Sequence, residues 1–331
     1  MRNEGGRIYA GGDIQLQTPG IDNSGGWLSV SELSVSGPRF SNAGGTLNVT
    51  RSFTAQVGTF DNAGGKLNAG TLDIDVQGSD SGDLDNRQGT LHSNAATRLQ
   101  VDGQLLNAGG VVSSAGTLDA TVQGRVDNTA GQLAANEGLR LDAGALINGS
   151  GNGSGGAVLQ SGAQALRLNV REAIDNRGGR IAGNGDVALQ SSSLRNQGGQ
   201  IQAGTAGAGA GAGSGQLSVQ TTGTLDNSQK GKLGAAGDIT FAAQELVNTT
   251  GEVAAAGQLD VAVSGAVDNA QGSLLANQNL NLDARTLDNT GGSVGAAQGD
   301  AALRTQGQTL NRGGKVLAGG ALTLANAGLD N

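Results

Sequence analysis

Residues 126–141 read Val-Asp-Asn-Thr-Ala-Gly-Gln-Leu-Ala-Ala-Asn-Glu-Gly-Leu-Arg-Leu, and residues 267–282 repeat this arrangement with the same spacing. In both stretches a Gly stands three residues after the Asn, an aliphatic residue follows two positions later, and an alternating Leu-x-Leu segment comes next. Alternation with period two is typical of β-strands, and Gly and Asn are typical of tight turns. The stretch therefore predicts short strands separated by turns.

An anchor asparagine recurs along all 331 residues, mostly at intervals of 19 to 22 residues. Three intervals are longer, with 24, 28 and 31 residues, and we predict loop inserts in them near 77–83, 149–156 and 204–216. A fixed period of this length is the signature of a solenoid. The anchors are Asn3, Asn23, Asn42, Asn62, Asn86, Asn107, Asn128, Asn148, Asn176, Asn196, Asn227, Asn248, Asn269, Asn289, Asn311 and Asn331.

An aliphatic residue with polar or small neighbours occupies the same place in every repeat, which predicts one buried column. We predict an all-β parallel solenoid of about 15 coils, each with about 20 residues and three short strands. Like strands must stack on like strands, because the buried aliphatics of one coil cannot offset the backbone entropy of that coil. The column comprises Ile8, Leu28, Leu47, Leu67, Leu91, Val112, Leu133, Val158, Ile181, Ile201, Leu233, Val253, Leu274, Val294 and Val316.

Composition excludes several classes of protein. The 28 acidic and 20 basic residues give a net charge of −8, and the basic residues are scattered, so nucleic acid is not an expected partner. There are no cysteines for disulfides, thiolate chemistry or thiolate metal sites. No apolar stretch approaches bilayer length, so we expect no membrane insertion by this segment. No cofactor is expected either.

The anchor asparagines are the principal candidate site, interpreted as a structural ladder rather than as a catalytic or metal site. We expect each Asn to adopt the left-handed conformation of a turn and to bond through its amide to the Asn of the next coil. Asp precedes nine of the anchors, and a column of Asp could bind cations; our preferred interpretation leaves it merely exposed. The ladder comprises Asn23, Asn42, Asn62, Asn86, Asn107, Asn128, Asn148, Asn176, Asn196, Asn227, Asn248, Asn269, Asn289 and Asn311.

The pattern Leu-Asp-Asn-x-x-Gly-x-Leu-x-Ala-x-x-x-Leu-x-Leu resembles the haemagglutinin repeats of the filamentous haemagglutinin family, with clear copies at 126–141, 225–241 and 267–282. The resemblance implies a right-handed parallel β-helix in an exoprotein of Gram-negative two-partner secretion. It also implies export through an outer-membrane transporter to the cell surface or medium. Because both ends fall at an anchor Asn, we expect 1–331 to be a single repeat segment, internal to a longer filament.

Three functions follow as alternatives. The resemblance favours a non-enzymatic stalk that projects an adhesive element, or the toxin of a contact-dependent growth-inhibition system, away from the cell. An adhesin module that binds a receptor or glycan on a target cell is the second alternative. A carbohydrate-active enzyme on a β-helix is the third; it would need clustered carboxylates under aromatic-lined loops, which the sequence lacks. Trp27 and His92 fall at outward-facing positions of the strand pattern.

Overall fold

The computed structural model describes residues 1–17, 20–78, 82–150, 156–204 and 215–331, with no helix among them. Its strands pair in parallel with those of neighbouring coils, giving about 14 turns of roughly 21 residues. The predicted all-β, right-handed parallel β-helix is confirmed. Of the three predicted inserts, residues 79–81, 151–155 and 205–214 lie outside the described residues, so the insert boundaries remain predictions.

The chain divides into two compact units, and strand β17 (Leu166–Val170) contributes residues to both. Unit 1 comprises Met1–Ala163 with Leu168–Val170. Its other strands are β1 (Arg7–Tyr9), β2 (Ile14–Gln17), β3 (Ile21–Asp22), β4 (Trp27–Val30), β5 (Leu33–Ser41), β6 (Thr46–Asp61), β7 (Lys66–Val76), β8 (Leu84–Asp85), β9 (Thr90–Ser93), β10 (Thr97–Val101), β11 (Leu105–Leu106), β12 (Val111–Ser114), β13 (Leu118–Asp127), β14 (Gln132–Ala135), β15 (Leu139–Ile147) and β16 (Val158–Ser161).

Unit 2 comprises Gln164–Arg167 with Arg171–Asn331 and has three short strands in each coil. Its strands are β18 (Ala173–Asp175), β19 (Arg180–Gly183), β20 (Val187–Ser191), β21 (Ser193–Arg195), β22 (Gln200–Ala203), β23 (Leu217–Thr221), β24 (Thr224–Asp226), β25 (Lys232–Ala235), β26 (Ile239–Ala243), β27 (Glu245–Val247), β28 (Glu252–Ala255), β29 (Leu259–Val263), β30 (Ala266–Asp268), β31 (Ser273–Ala276), β32 (Leu280–Ala284), β33 (Thr286–Asp288), β34 (Ser293–Ala296), β35 (Ala301–Thr305), β36 (Gln308–Leu310), β37 (Lys315–Ala318), β38 (Leu322–Ala325) and β39 (Gly328–Asp330).

The core of each unit consists of the inward side chains of successive coils, stacked in register. In unit 2, for example, Leu225 pairs with Leu246 in the next coil, and both are buried. Because alternate residues of a strand point to opposite faces, an in-register parallel stack places aliphatic on aliphatic and leaves the neighbours outward. The hydrophobic column read from the sequence is therefore the interior of the solenoid.

One member of the predicted column is wrong. Leu159, and not Val158, pairs with Leu133 and is fully buried, whereas Val158 pairs with the outward Gln132 and is half-buried. The predicted insert at 149–156 interrupts the count from the preceding anchor. An error of one residue assigns a strand's side chains to the opposite face.

Unit 1 contains a buried aromatic cluster. The ring centroids of Phe40 and Phe60 lie 4.8 Å apart, and that of Phe53 lies 5.7 Å from the first and 6.1 Å from the second. All three side chains are at most 1% exposed. They are the largest fully buried side chains of unit 1, so truncating one of them removes more volume than truncating an aliphatic neighbour.

We expect Phe53→Ala to lower the free energy of unfolding by about 3–5 kcal/mol, because the lost transfer free energy and the new cavity add together. Urea denaturation followed by circular dichroism measures the change. Tyr9→Ala is the aromatic control, since the Tyr9 side chain is 75% exposed, and it should change stability by less than about 0.5 kcal/mol. Equal effects of the two substitutions would contradict the core assignment.

Candidate functional site

The anchor asparagines form a continuous chain of side-chain hydrogen bonds in each unit. The Nδ2 of each Asn donates to the Oδ1 of the next at 2.6–2.8 Å. The joined residues are Asn3, Asn23, Asn42, Asn62, Asn86, Asn107, Asn128 and Asn148 in unit 1, and Asn176, Asn196, Asn227, Asn248, Asn269, Asn289, Asn311 and Asn331 in unit 2.

Asn107 illustrates how completely a buried amide is satisfied in this arrangement. Its Oδ1 accepts from Asn86, while its Nδ2 donates to Asn128 Oδ1 at 2.7 Å and to the Gln132 carbonyl at 3.1 Å. A further contact joins Nδ2 to the Gly110 carbonyl at 3.2 Å. Buried polar groups are destabilising unless they are hydrogen-bonded. One side chain thus connects three successive coils.

The turn glycine that follows an anchor is required sterically, because a side chain at this position would clash with the preceding coil. A Cβ added at Gly110 would lie 2.0 Å from the Asn86 carbonyl oxygen and 2.7 Å from Asn107 Oδ1. At Gly272 the corresponding Cβ would lie 2.1 Å from the Asn248 carbonyl oxygen. Any side chain here would force adjacent coils apart. The glycine therefore permits the close coil-to-coil approach on which the amide chain depends.

The left-handed residue of the turn is not the anchor Asn, contrary to expectation. No described anchor has a positive φ; the residue two positions later does, with φ 62° at Gly64 and 58° at Thr250. Gly at this place adopts the conformation without strain, whereas a β-branched residue at φ > 0 is a genuine outlier. Thr250 thus stores backbone strain that most repeats of the chain avoid.

The aspartate that precedes many anchors is also not simply exposed, which corrects a second expectation. Asp127 is half-buried, and its Oδ1 accepts from the Thr129 backbone N at 3.1 Å and the Thr129 hydroxyl at 2.7 Å. Asp288 accepts from the Thr290 backbone N in the same way. A short polar side chain that bonds to backbone two residues ahead is an Asx turn. The recurring Asp-Asn-x tripeptide is the sequence signal for such a turn, because it places a backbone N–H two residues after the Asp.

These hydrogen bonds affect the acidity of two of the carboxyl groups. The Ser24 hydroxyl and backbone N–H hold the pKa of Asp22 below its ordinary value of 3.8. Burial raises the pKa of Asp175, but hydrogen bonds from the Arg177 side chain and backbone outweigh it and the net pKa is lowered. In the part of the chain that the structure describes, no group of three or more His, Cys, Asp or Glu could hold a metal ion.

An open groove of about 1040 Å³ runs along several coils of unit 2. Its ionisable side chains are Asp283 and Arg304, which lie 3.7 Å apart as an exposed ion pair. The other lining residues include Ala243, Gln244 and Ser264. A hydrolytic site would need a pair of carboxylates, or a nucleophile with a base beside it. The residues that line this groove do not include such a pair.

The model of the haemagglutinin repeat matches residues 3–36, 31–79, 69–130, 113–178, 161–229, 210–269, 254–308 and 296–331, so successive matches cover nearly the whole chain. This chain belongs to the haemagglutinin repeat family. The family comprises structural and adhesive segments of secreted or surface proteins exported by two-partner secretion. No curated protein and no solved structure matches the chain significantly. None of the described residues forms a helix long and apolar enough to cross a membrane.

We expect Asn128→Ala to lower the free energy of unfolding by about 1–3 kcal/mol, because it removes the Oδ1 acceptor of Asn107 Nδ2 and the Nδ2 donor to Asn148 Oδ1. Asp127→Asn retains an acceptor oxygen for Thr129 and should change stability by less than about 0.5 kcal/mol. Thermal melts with and without calcium test the alternative cation column. A calcium-dependent rise in Tm that disappears in Asp127→Asn would show that the turn column binds metal.

We expect Thr250→Gly to raise the free energy of unfolding by about 1 kcal/mol, because it relieves the left-handed strain of a β-branched residue. Thr249→Gly is the matched control in the same turn. Thr249 has a negative φ, so glycine there only adds freedom to the unfolded chain and should destabilise by about 0.5–1 kcal/mol. Denaturant midpoints measured side by side decide the matter. Parallel changes in both variants would show that the turn is not strained.

Proposed function

We propose that this chain is a stalk segment of a large exoprotein of a Gram-negative bacterium. The segment holds an adhesive or toxic element away from the cell that makes it. The single observation that supports this proposal most is the repetition of one coil design throughout both units, with the same turn contacts in each coil. Such stacking extends a segment by about 4.8 Å per coil, whatever residues point outward.

Export through an outer-membrane two-partner transporter is part of the proposal. Stability in a solenoid is collective, since each coil is stabilised by its neighbours and not alone. A chain of this kind crosses a pore unfolded and gains stability coil by coil outside the cell. The absence of cysteine from the sequence is compatible with such a passage, because no disulfide can form and block it.

Equal-length segments of the two units allow a direct test of the spacer role in the full-length exoprotein. Residues 87–128 and residues 228–269 each begin directly after one anchor and end at the second anchor beyond it. Each segment has 42 residues (128 − 86 and 269 − 227). Replacing residues 228–269 by a copy of residues 87–128 retains the anchors at 248 and 269 and the turn glycine at 251, and it places the first turn glycine at 230 instead of 231. Deleting residues 228–269 instead removes two whole coils, or about 10 Å of rise.

For a spacer we expect the replacement to keep adhesion or toxin delivery at the wild-type level, because only length and register matter. The deletion should lower it in proportion to the lost length. Delivery is measured by co-culture with target cells, with surface display checked by antibody in each strain. If the replacement abolished delivery while display was normal, residues 228–269 would have to contribute chemistry of their own. Normal display in a strain lacking the transporter would contradict the export route.

A further inference from the structure

Three Asn-Gly pairs occur in the sequence, beginning at Asn148, Asn152 and Asn184. In such a pair the backbone nitrogen of the glycine can attack the side-chain carbonyl carbon of the asparagine, because glycine has no Cβ to hinder the approach. Asn152 lies outside the described residues. The other two pairs differ in their surroundings, and this difference decides which of them can react in the folded chain.

Asn148 is protected by the amide ladder. Its side chain is fully buried, and its Oδ1 accepts from Asn128 Nδ2 at 2.8 Å. Attack by the Gly149 nitrogen would require the Asn148 amide to rotate out of the ladder, which would leave buried hydrogen-bonding groups without partners. The fold therefore holds this asparagine in an unreactive position.

Asn184 lies in the turn between β19 and β20, and we refer to residues 183–186 as the Asn184 turn. The Asn184 side chain is exposed and makes no hydrogen bond with any residue in the described part of the chain. An exposed side chain without such a bond changes rotamer within nanoseconds. The amide carbon of Asn184 can therefore reach the backbone nitrogen of Gly185.

Asn136 provides an internal comparison. It follows β14 directly, at the same place in its coil as Asn184 after β19, and it is exposed as well. The backbone N–H of the next residue, Glu137, donates to the Gly116 carbonyl of the preceding coil at 3.1 Å. That hydrogen bond holds the nitrogen in the coil-to-coil contact, and Glu137 also has a Cβ beside it. Both features hinder attack on the Asn136 amide.

Asn277, which follows β31 directly and is exposed, shows the same arrangement as Asn136. The backbone N–H of Gln278 donates to the Gly257 carbonyl at 3.0 Å. The N–H of Gly185, in contrast, has no acceptor among the described residues. The Asn184 turn thus combines an unbonded amide with an unbonded nitrogen that has no Cβ beside it.

The backbone hydrogen bonds of the Asn184 turn leave the Gly185 nitrogen accessible. The Gly204 N–H donates to the carbonyl groups of Gly183 and Gly185, at 2.8 and 3.2 Å. These bonds hold the turn through its oxygen atoms and do not involve the Gly185 nitrogen. Gly185 does not have a positive φ, so the conformation of the turn does not require glycine there.

We infer that Asn184 is a site of spontaneous deamidation in the folded protein. The Gly185 nitrogen forms a bond to Cγ of Asn184, its proton passes through solvent to the side-chain nitrogen, and that nitrogen leaves as ammonia. Water then opens the cyclic imide at either carbonyl and yields aspartate or isoaspartate. One water is consumed, one ammonia is released, and nothing is oxidised or reduced. This inference goes beyond the stalk function and does not depend on it.

The two products change the Asn184 turn in different ways. Either product places another negative charge two residues before Asp186. Isoaspartate also lengthens the backbone by one atom between Gly183 and Gly185, whose carbonyl groups both accept from the Gly204 N–H. Isoaspartate therefore alters a coil-to-coil contact, whereas aspartate alters only the charge.

The test uses the complete folded chain, incubated in mildly alkaline buffer and sampled over time. Trypsin releases residues 181–195, in which Asn184 is the only asparagine, and mass spectrometry measures the conversion of its amide to an acid. We expect Asn184 to react at least about tenfold faster than Asn136 and Asn277, which corresponds to roughly 1.4 kcal/mol in the barrier. Asn148 should stay unmodified until the chain is unfolded in urea. Labelling by a protein isoaspartyl methyltransferase measures the isoaspartate share.

Two variants separate the folded geometry from the effect of the dipeptide alone. Gly185→Ala adds a Cβ beside the attacking nitrogen and should lower the rate at Asn184 about tenfold. Glu137→Gly creates an Asn-Gly pair at Asn136 but keeps the hydrogen bond from the nitrogen of residue 137 to Gly116. Asn136 should therefore still react more slowly than Asn184 in this variant. Circular dichroism checks that both variants fold.

Several outcomes would overturn the inference. Equal rates at Asn136 and Asn184 in Glu137→Gly would show that the dipeptide, and not the unbonded nitrogen of the Asn184 turn, sets the rate. Conversion of Asn148 in the folded chain at the rate of Asn184 would show that the fold protects neither asparagine. An unmodified Asn184 in a folded sample whose Asn148 reacts after unfolding would exclude the site. If Gly185→Ala does not fold, the comparison of Asn184 with Asn136 in Glu137→Gly decides.

Discussion

One coil approaches the next closely where an anchor's carbonyl oxygen contacts the turn glycine that follows the next anchor, and the rest of the fold depends on this contact. The Asn86 carbonyl oxygen lies only 2.0 Å from where a Cβ of residue 110 would be. At that separation Asn86 Nδ2 also reaches Asn107 Oδ1, at 2.7 Å, and the Val111 carbonyl, at 3.1 Å. A bulkier turn residue would separate the coils and leave buried amides unpaired, at about 1–3 kcal/mol each. The hydrogen bonds of the repeated Asn therefore depend on the close approach that the repeated Gly permits.

Because that close approach concerns the turn and the inward residues only, the side chains at the outward positions of each strand contribute little to the stability of the stack. A substitution there is expected to stay within about 0.5 kcal/mol. Residues twenty positions apart in sequence become neighbours at about 4.8 Å, so a row of outward side chains forms a continuous surface. A solenoid can therefore hold one architecture constant while its faces differ. The aromatic, cationic face around Trp27 and the alanine-rich groove around Ala243 share the same coil design.

Most of the fold was accessible from the sequence, because period and alternation act locally and repeat many times. Ile181 and Ile201 were placed inside by alternation alone, and both are buried. Val158 was misplaced because the predicted insert removes the local reference for counting. The left-handed residue and the Asp carboxylate were misassigned for a different reason. The regular recurrence of Asn led us to assign both the left-handed conformation and the hydrogen bonds of the turn to that residue. The outward residues that share a face could not be predicted without register, because Arg7, Lys66 and His92 are distant in the chain and lie on one sheet face only through strand pairing.

The distribution of charge over the strands is not explained by stability. Cross-coil pairs such as Arg98 with Asp73 at 2.9 Å and Lys232 with Glu252 at 3.2 Å are about half exposed on both sides, and pairs of this kind contribute about 0–1 kcal/mol each. Their absence around Lys66 therefore leaves the fold nearly unaffected. Arg7 and Lys66 lie three coils apart, or about 14 Å, which exceeds the Debye length of about 8 Å at physiological salt. The two cations therefore do not repel each other appreciably.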